Sequence, residues 1–345
     1  MIADLHGDKT ALENYVEYVN HYQPFIDMGI CLGDTVCYFP TDDSSYYQRM
    51  IAKSKIPVLY TLGNHDVATT LSIDKEEAYE KYITPMLKNK WIEEEAMGEE
   101  KACYYYKDLE SYPLRVISLM EFEATVAHEH SEGYEYKRYM SSKQLQWLAD
   151  TLFDTPKEYA VCILLHQIPV ISPDLLASSF TQSLEDTEFN TAFTEGFAHL
   201  QLALQGDPIG DIVHAFQTAT KVEKEYLVEP EYSNILPCPK VAKDFTHREP
   251  GEFICFFTGH HHASFISTNP QYPNQLCITL PSASRSAYQR QNDDIKPMDA
   301  TDQAFHFYCV GIRRKSKEIK LYHVGNTTTI HGKTREITTL SYDGV

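Results

Sequence analysis

The chain has 345 residues, of which 43% are hydrophobic and 23% charged, the composition of an ordinary globular protein with room for a sizeable core. Its formal net charge of −19 argues against a protein that grips nucleic acid by neutralising phosphates. A bound cation can still reverse the field in one cleft, so small phosphorylated substrates stay in play. No apolar run reaches the length that crosses a membrane, and no basic-then-apolar leader is seen.

In chain order, "MIADLHGD" leaves little of a strand ahead of Asp4 and His6, as either a trimmed chain or a short first strand would. Residues 8 to 22 place Leu12, Tyr15, Val16, Val19 and Tyr22 at helical spacing, with Asp8 as cap. "FIDMGICLGD" reads as a strand closing on Gly33 and Asp34. "IPVLYTLGNHD" is a second strand, closing on Gly63, Asn64 and His65. "DKEEAYEKYITPML" opens with an acidic first turn suited to a helix dipole. "AHEHSEGYEY" carries His128 and His130 in polar company and reads as a loop. "SSKQLQWLADTL" has the capping box Ser141-x-x-Gln144, then Leu145, Leu148 and Leu152 on one face.

"YAVCILLHQIP" is a third strand, closed by His166, and "FICFFTGHHH" a fourth, closed by His260, His261 and His262. Residues 172 to 250 form an insertion with helical patches in "FNTAFTEGFAHLQLAL" and "IGDIVHAFQTAT", and Pro230, Pro237 and Pro239 break its later part into loop. It is either a lid over the pocket or an outer-layer decoration, and we expect the lid. From residue 275 onward, "QLCITL", "AFHFYCVGI" and "EIKLYHVG" are expected to complete a second sheet. Arg285 lies just past "QLCITL", where its guanidinium could reach a substrate phosphate or merely face solvent. The eight cysteines include no C-x-x-C pair, and several lie in apolar runs, so we expect buried free thiols and a reducing, cytoplasmic compartment.

Strand-like runs alternating with helical stretches give an α/β fold, in which ligands collect beyond the carboxyl ends of the strands. Here every such end delivers an Asp, Asn or His: Asp4 and His6, Asp34, Asn64 and His65, His166, then His260 and His262. Imidazoles with carboxylates, one amide and no thiolate suit manganese, iron or zinc. The donors are too many for one tetrahedral ion and enough for two, with a carboxylate such as Asp34 as bridge. In an extended D-x-H or H-x-H segment alternate side chains share a side, which pairs Asp4 with His6 and His260 with His262.

This ordered set resembles the calcineurin-like metallophosphoesterase superfamily, whose pattern D-x-H, G-D, G-N-H-D/E, H, G-H-x-H is met from Asp4 to His262. The resemblance implies one domain over residues 1–345, built as two packed, mixed β-sheets flanked by helices in four α/β/β/α layers. It implies one metal on Asp4, His6, Asp34 and His262, and a second on Asp34 as bridge with Asn64, His166 and His260. It also implies in-line attack on phosphorus by a hydroxide held between the metals, with Asp34 and His65 catalytic, His65 assisting the leaving oxygen. The alternatives are a non-catalytic scaffold of the same fold, which loss of a donor would favour, and a mononuclear zinc hydrolase, which the number of donors opposes.

Overall fold

The computed structural model describes residues 1–36, 44–67, 75–109, 111–123, 127–130, 133–136, 138–169, 180–182, 203–260, 265–280, 282–283, 306–325 and 338–342. Helix α1 (Lys9–His21) starts where Asp8 accepts a hydrogen bond from the Ala11 N–H at 3.0 Å, as its sequence predicts. It buries Leu12, Tyr15, Val16 and Val19, while Tyr22, just past its end, is exposed. Strand β1 (Gly29–Cys31) pairs in parallel with β2 (Val58–Tyr60), with α2 (Ser44–Ile51) between them in the chain. The G-N-H-D turn folds as the short helix α3 (Asn64–Val67). Next, α4 (Lys75–Ala78) passes through a π turn (Tyr79–Ile83) into α5 (Thr84–Lys88).

Strands β3 (Tyr105–Asp108) and β4 (Leu114–Ser118) follow, then β5 (Ala127–His130) and β6 (Gly133–Tyr136). These last two pair antiparallel, so the His128–His130 segment belongs to a hairpin rather than to the expected loop. In α6 (Ser142–Phe153) the Ser141 hydroxyl accepts from the Gln144 N–H at 3.3 Å, which is half of the predicted capping box. The other half is replaced: Glu123 accepts the Ser141 N–H at 2.5 Å, and the Gln144 amide instead clasps both backbone groups of Met120.

Strand β7 (Ala160–Leu164), β8 (Phe180–Gln182), helix α7 (Pro208–Thr218), β9 (Lys221–Glu225) and β10 (Lys240–Asp244) come next, then β11 (Glu252–Thr258), β12 (Phe265–Thr268) and β13 (Leu276–Thr279). The chain closes with β14 (His306–Arg313), β15 (Glu318–Gly325) and β16 (Thr338–Ser341).

Seven strands form the larger sheet in the order β3-β4-β7-β11-β13-β12-β8, with β4, β7, β11 and β13 parallel at its centre. The other sheet gathers β1 and β2 with β14, β15 and β16 through residues 1 and 2. Ile2 exchanges hydrogen bonds with Ile30 and Leu32 at 2.9 Å, and the Tyr308 N–H donates to the Met1 carbonyl at 2.9 Å. The three C-terminal runs therefore divide. "QLCITL" is β13 of the larger sheet, and only the two later runs join the other one.

The larger sheet is buried on both faces, and strand alternation sorts its side chains. Ala160, Cys162 and Leu164 of β7 pack with Ile30, Val58 and Tyr60 between the sheets. Val161 and Ile163 pack with Leu145, Leu148 and Leu152 of α6 and with Ile212, Val213 and Phe216 of α7. Burial of each such aliphatic side chain contributes roughly 1.5–3 kcal/mol. The expected two mixed sheets flanked by helices are what the chain forms. Within the insertion, residues 203–250 build an outer layer, in which α7 and the unforeseen β9–β10 hairpin cover the helical face of the larger sheet. Phe180–Gln182 pairs with β12 at the edge of that sheet, and most of residues 172–202, where the expected lid would also lie, fall outside the described residues.

Candidate metal centre

The carboxyl ends of the strands are laced together by backbone hydrogen bonds. The Asp4 N–H donates to the Gly33 carbonyl at 3.0 Å, His6 to Asp34 at 2.8 Å, Gly7 to Thr35 at 2.8 Å, and Gly259 to His166 at 2.9 Å. Four of the residues brought together are non-glycine residues in the left-handed region: Asp4 (φ 51°), His6 (44°), Asp34 (53°) and His260 (69°). Each such residue costs on the order of 1–3 kcal/mol, and strain of this kind concentrates at functional sites. Asp4 and His6 therefore do not share a side through extended alternation, as their spacing predicts. Two left-handed kinks turn both side chains inward, leaving the His6 Nε2 at 4.0 Å from the Asp4 carboxylate and 3.9 Å from that of Asp34.

The glycines ahead of the donors are there for closeness. A Cβ on Gly63 would lie 2.1 Å from the Asp34 Oδ1, and one on Gly33, at φ 91°, would lie 2.6 Å from the His166 Nδ1. One on Gly259 would lie 2.7 Å from the Asp4 Oδ2.

Asp34 is the hub. Its Oδ2 lies 3.2 Å from the His166 Nε2, and its Oδ1 accepts the His65 backbone N–H at 2.9 Å. The donor atoms of His6, Asp34 and His65 form one group within 4.8 Å of one another, and those of Asp34, His166 and His260 form a second. The carbonyl of Leu32 accepts a hydrogen bond from the His166 Nδ1–H at 2.6 Å, which leaves Nε2 facing Asp34. The His260 Nδ1 is 3.0 Å from the same His166 Nε2. The His260 N–H in turn donates to both oxygens of Asp4 at 2.9 Å.

Three carboxylates are buried together here, Asp4, Asp34 and Asp66. Burial raises the Asp34 carboxyl, but His166, His65 and His6 reverse this and hold it well below the usual range. Burial raises Asp4, with His166 opposing and Asp34 adding to the rise. Burial pulls the His166 imidazole down, and the Asp34 and Asp4 carboxylates more than reverse it, pushing it up to about 10. The centre thus requires positive charge, which protonated imidazoles can supply.

Divalent ions fit the same place. The Asn64 Oδ1 is buried with no hydrogen-bond partner, which would cost about 1–3 kcal/mol unless a cation takes it. Asp34 offers an oxygen to each of two donor groups. His262 and Arg285, both expected at the site, lie outside the described residues.

Two further residues hold the donors in place. Asp66, the last residue of the G-N-H-D turn, acts on backbone: its carboxylate accepts the N–H groups of Asp34 (2.6 Å), Thr35 (2.9 Å) and Gly63 (2.9 Å) and the Thr35 hydroxyl (2.7 Å). It stitches the G-D turn to the G-N-H-D turn. Gln167, directly after His166, reaches the His260 ring with its amide at 2.9 Å. Its position beside a candidate ligand was the available signal.

Among solved structures, the chain is similar to a dimetal phosphatase from Danio rerio, at 13% identity over 99% of this chain and 98% of that one, with a TM-score of 0.49. It is also similar to a purple acid phosphatase from yellow lupin seeds, at 11% identity and a TM-score of 0.48, over 99% of this chain but only 52% of the lupin chain. A phosphopantetheinyl hydrolase from Mycobacterium tuberculosis matches at 10% identity over 86% of this chain and 92% of that one, with a TM-score of 0.41. No curated protein matches the sequence. With TM-scores this low, assignment rests on the family comparison, in which the model described as calcineurin-like phosphoesterase matches residues 1–189, more than half of the chain. The chain belongs to the calcineurin-like phosphoesterase family.

Proposed function

We propose that the protein is a dinuclear-metal phosphoesterase that hydrolyses a small phosphomonoester or phosphodiester. The observation that carries the reading is that the Asp34 carboxylate stands in two clusters of possible ligands, with His6 on one side and with His166 and His260 on the other; the His65 ring, close to the first cluster, is left for proton transfer. One ion would take Asp4, His6, Asp34 and His262, and the other Asp34, Asn64, His166 and His260, with manganese, iron or zinc suiting these donors. Bound there, the ions supply an activated water at neutral pH and offset the negative charge that builds on the phosphoryl oxygens.

The chain's own residues then do the rest. Leu32 keeps the His166 proton on Nδ1, so that Nε2 stays available. Asp66 keeps Asp34 pointed into the centre by holding its backbone N–H. His65 is fixed by its own N–H on Asp34, with its ring edge-on to that of His6 at 4.9 Å, and is only partly buried. From that position it delivers a proton to the departing oxygen. No donor position in the described residues is replaced by a group unable to bind a metal, which opposes the scaffold alternative.

The test is turnover of p-nitrophenyl phosphate and its bis-ester with manganese. Wild type is expected to act on at least one, and Asp34→Ala to lose metal and activity together. His65→Ala should keep its metal while turnover falls roughly a hundredfold or more. Activity untouched by either substitution would overturn the proposal.

A further inference from the structure

Resting on the two-metal reading, we infer that Gln167 is the positioning residue that fixes His260 as an Nδ1 ligand, by accepting the proton on its Nε2. The His260 ring is held from two sides. Its Nδ1 faces the His166 Nε2 at 3.0 Å, which itself lies 3.2 Å from the Asp34 carboxylate, so this is the edge turned to the donor group. Its Nε2 faces away, 2.9 Å from the amide of Gln167. A neutral imidazole that gives one nitrogen to a metal carries its proton on the other, and that N–H needs an acceptor.

The Gln167 amide is the group in place. It is 3% exposed, and its Oε1 is buried without a partner, while its Nε2 is the end placed against the ring. Oxygen and nitrogen of an amide are exchanged by a half-turn about its last bond. That turn pairs Oε1 with the His260 Nε2–H.

The backbone carrying this amide is clamped. The Gln167 N–H donates to the Glu121 Oε2 at 2.7 Å, and the Arg138 Nη1 donates both to the Glu121 Oε1 at 2.6 Å and to the Ile168 carbonyl at 2.8 Å. Glu121 and Arg138 are 0% and 2% exposed. A buried ion pair contributes little net stability, but it holds geometry well. It ties the end of β4 to the end of β7 around the residue whose amide faces the His260 Nε2.

The test is metal titration of the full chain with cobalt(II), followed by its visible absorption and by competition with a chelator. Gln167→Met keeps the volume and removes the acceptor. It should weaken one of the two ions by roughly ten- to a hundredfold, the usual cost of losing such a partner, and leave the other within about twofold. Gln167→Glu restores an acceptor and should return affinity to the wild-type value or tighter. Should Gln167→Met fail to fold, Gln167→Asn, an amide one carbon too short, takes its place with the same expectation. Unchanged affinity in Gln167→Met, or a Gln167→Glu as weak as Gln167→Met, overturns the inference. Asp34→Ala run in parallel separates the two claims: loss of metal there with normal binding in Gln167→Met sinks only the role of Gln167. A wild type that binds no metal sinks both.

Discussion

Asp34 stands in a backbone conformation that few residues other than glycine adopt, and the residues around it are small because it is there. Gly63 is the tightest case, since an added Cβ would sit 2.1 Å from the Asp34 Oδ1 with backbone behind it. Gly63→Ala is expected to push the carboxylate out of line. On the two-metal proposal, metal content measured by elemental analysis should fall from two ions per chain to one or none, and turnover by a hundredfold or more. A variant that keeps both ions would mean that the Asp34 carboxylate can shift aside without losing either of them. At this scale the sequence was informative because ligand chemistry needs particular atoms: a strand end carrying Asp, Asn or His is conspicuous after an apolar run. Gln167 and Asp66 were harder to read, because a neutral amide and a backbone-binding carboxylate look like ordinary loop residues until their partners are known.

Among the elements, the π turn at Tyr79–Ile83 has a visible consequence. Tyr82 within it is buried, stacks on Tyr60 at 4.6 Å, and places its hydroxyl 3.2 Å from the Thr35 Oγ1, next to the Asp66 network. Single π turns inside helices recur near functional sites. Tyr82→Phe should lower stability by about 1 kcal/mol, seen in a denaturant midpoint, and weaken metal binding a few-fold.

A second element carries a pH signature. Asp207 caps α7, accepting from the Gly210 N–H at 2.8 Å and the Asn269 amide at 2.5 Å. Burial of its carboxyl, opposed by those two donors and by Arg138 and aided by Asp211, pushes it up to about 7. An unfolded aspartate titrates near 3.9. Between the two values the folded chain holds more protons, so this group's contribution is complete below about pH 4 and is lost as pH rises through 7. Asp207→Asn should remove that part of the pH dependence of unfolding free energy between about pH 4 and 7, on the order of a few kcal/mol. Parallel profiles would show that the carboxyl is ionised throughout.

Over the whole molecule, β1, β2, β7, β11, β13, β14 and β15 were legible as apolar runs and the helices α1 and α6 from periodicity, whereas β3, β12 and the buried central strand β4 were not read. Nor was the β9–β10 hairpin, since "KVEKE" and "KVAKD" each bury a single valine amid charges and carry almost no pattern. The partition of "QLCITL" from the runs after it was also hidden, because sheet membership depends on partners far away in the chain and not on local composition. The acidic excess, 49 Asp and Glu against 30 Lys and Arg, concentrates its cost where three carboxylates are buried together. Stripping metal with a chelator is therefore expected to lower the melting temperature, and manganese to raise it again by stabilising the folded chain by about 2.7 kcal/mol at a hundredfold excess over the dissociation constant. Asp34→Ala should show no such response.

The pocket closes a very long circuit. Asp4 is bonded to the N–H of a residue 256 positions later and, through its carbonyl, to the Ser282 hydroxyl 278 positions later. A ribosome must therefore add a further 256 residues after Asp4 before even the nearer of these partners exists. If the centre holds two ions as proposed, capture of the second should accordingly trail the collapse of the apolar layers during refolding. Adding manganese at successive delays after dilution from denaturant should leave the rate of burial unchanged and alter only the final, activity-restoring phase.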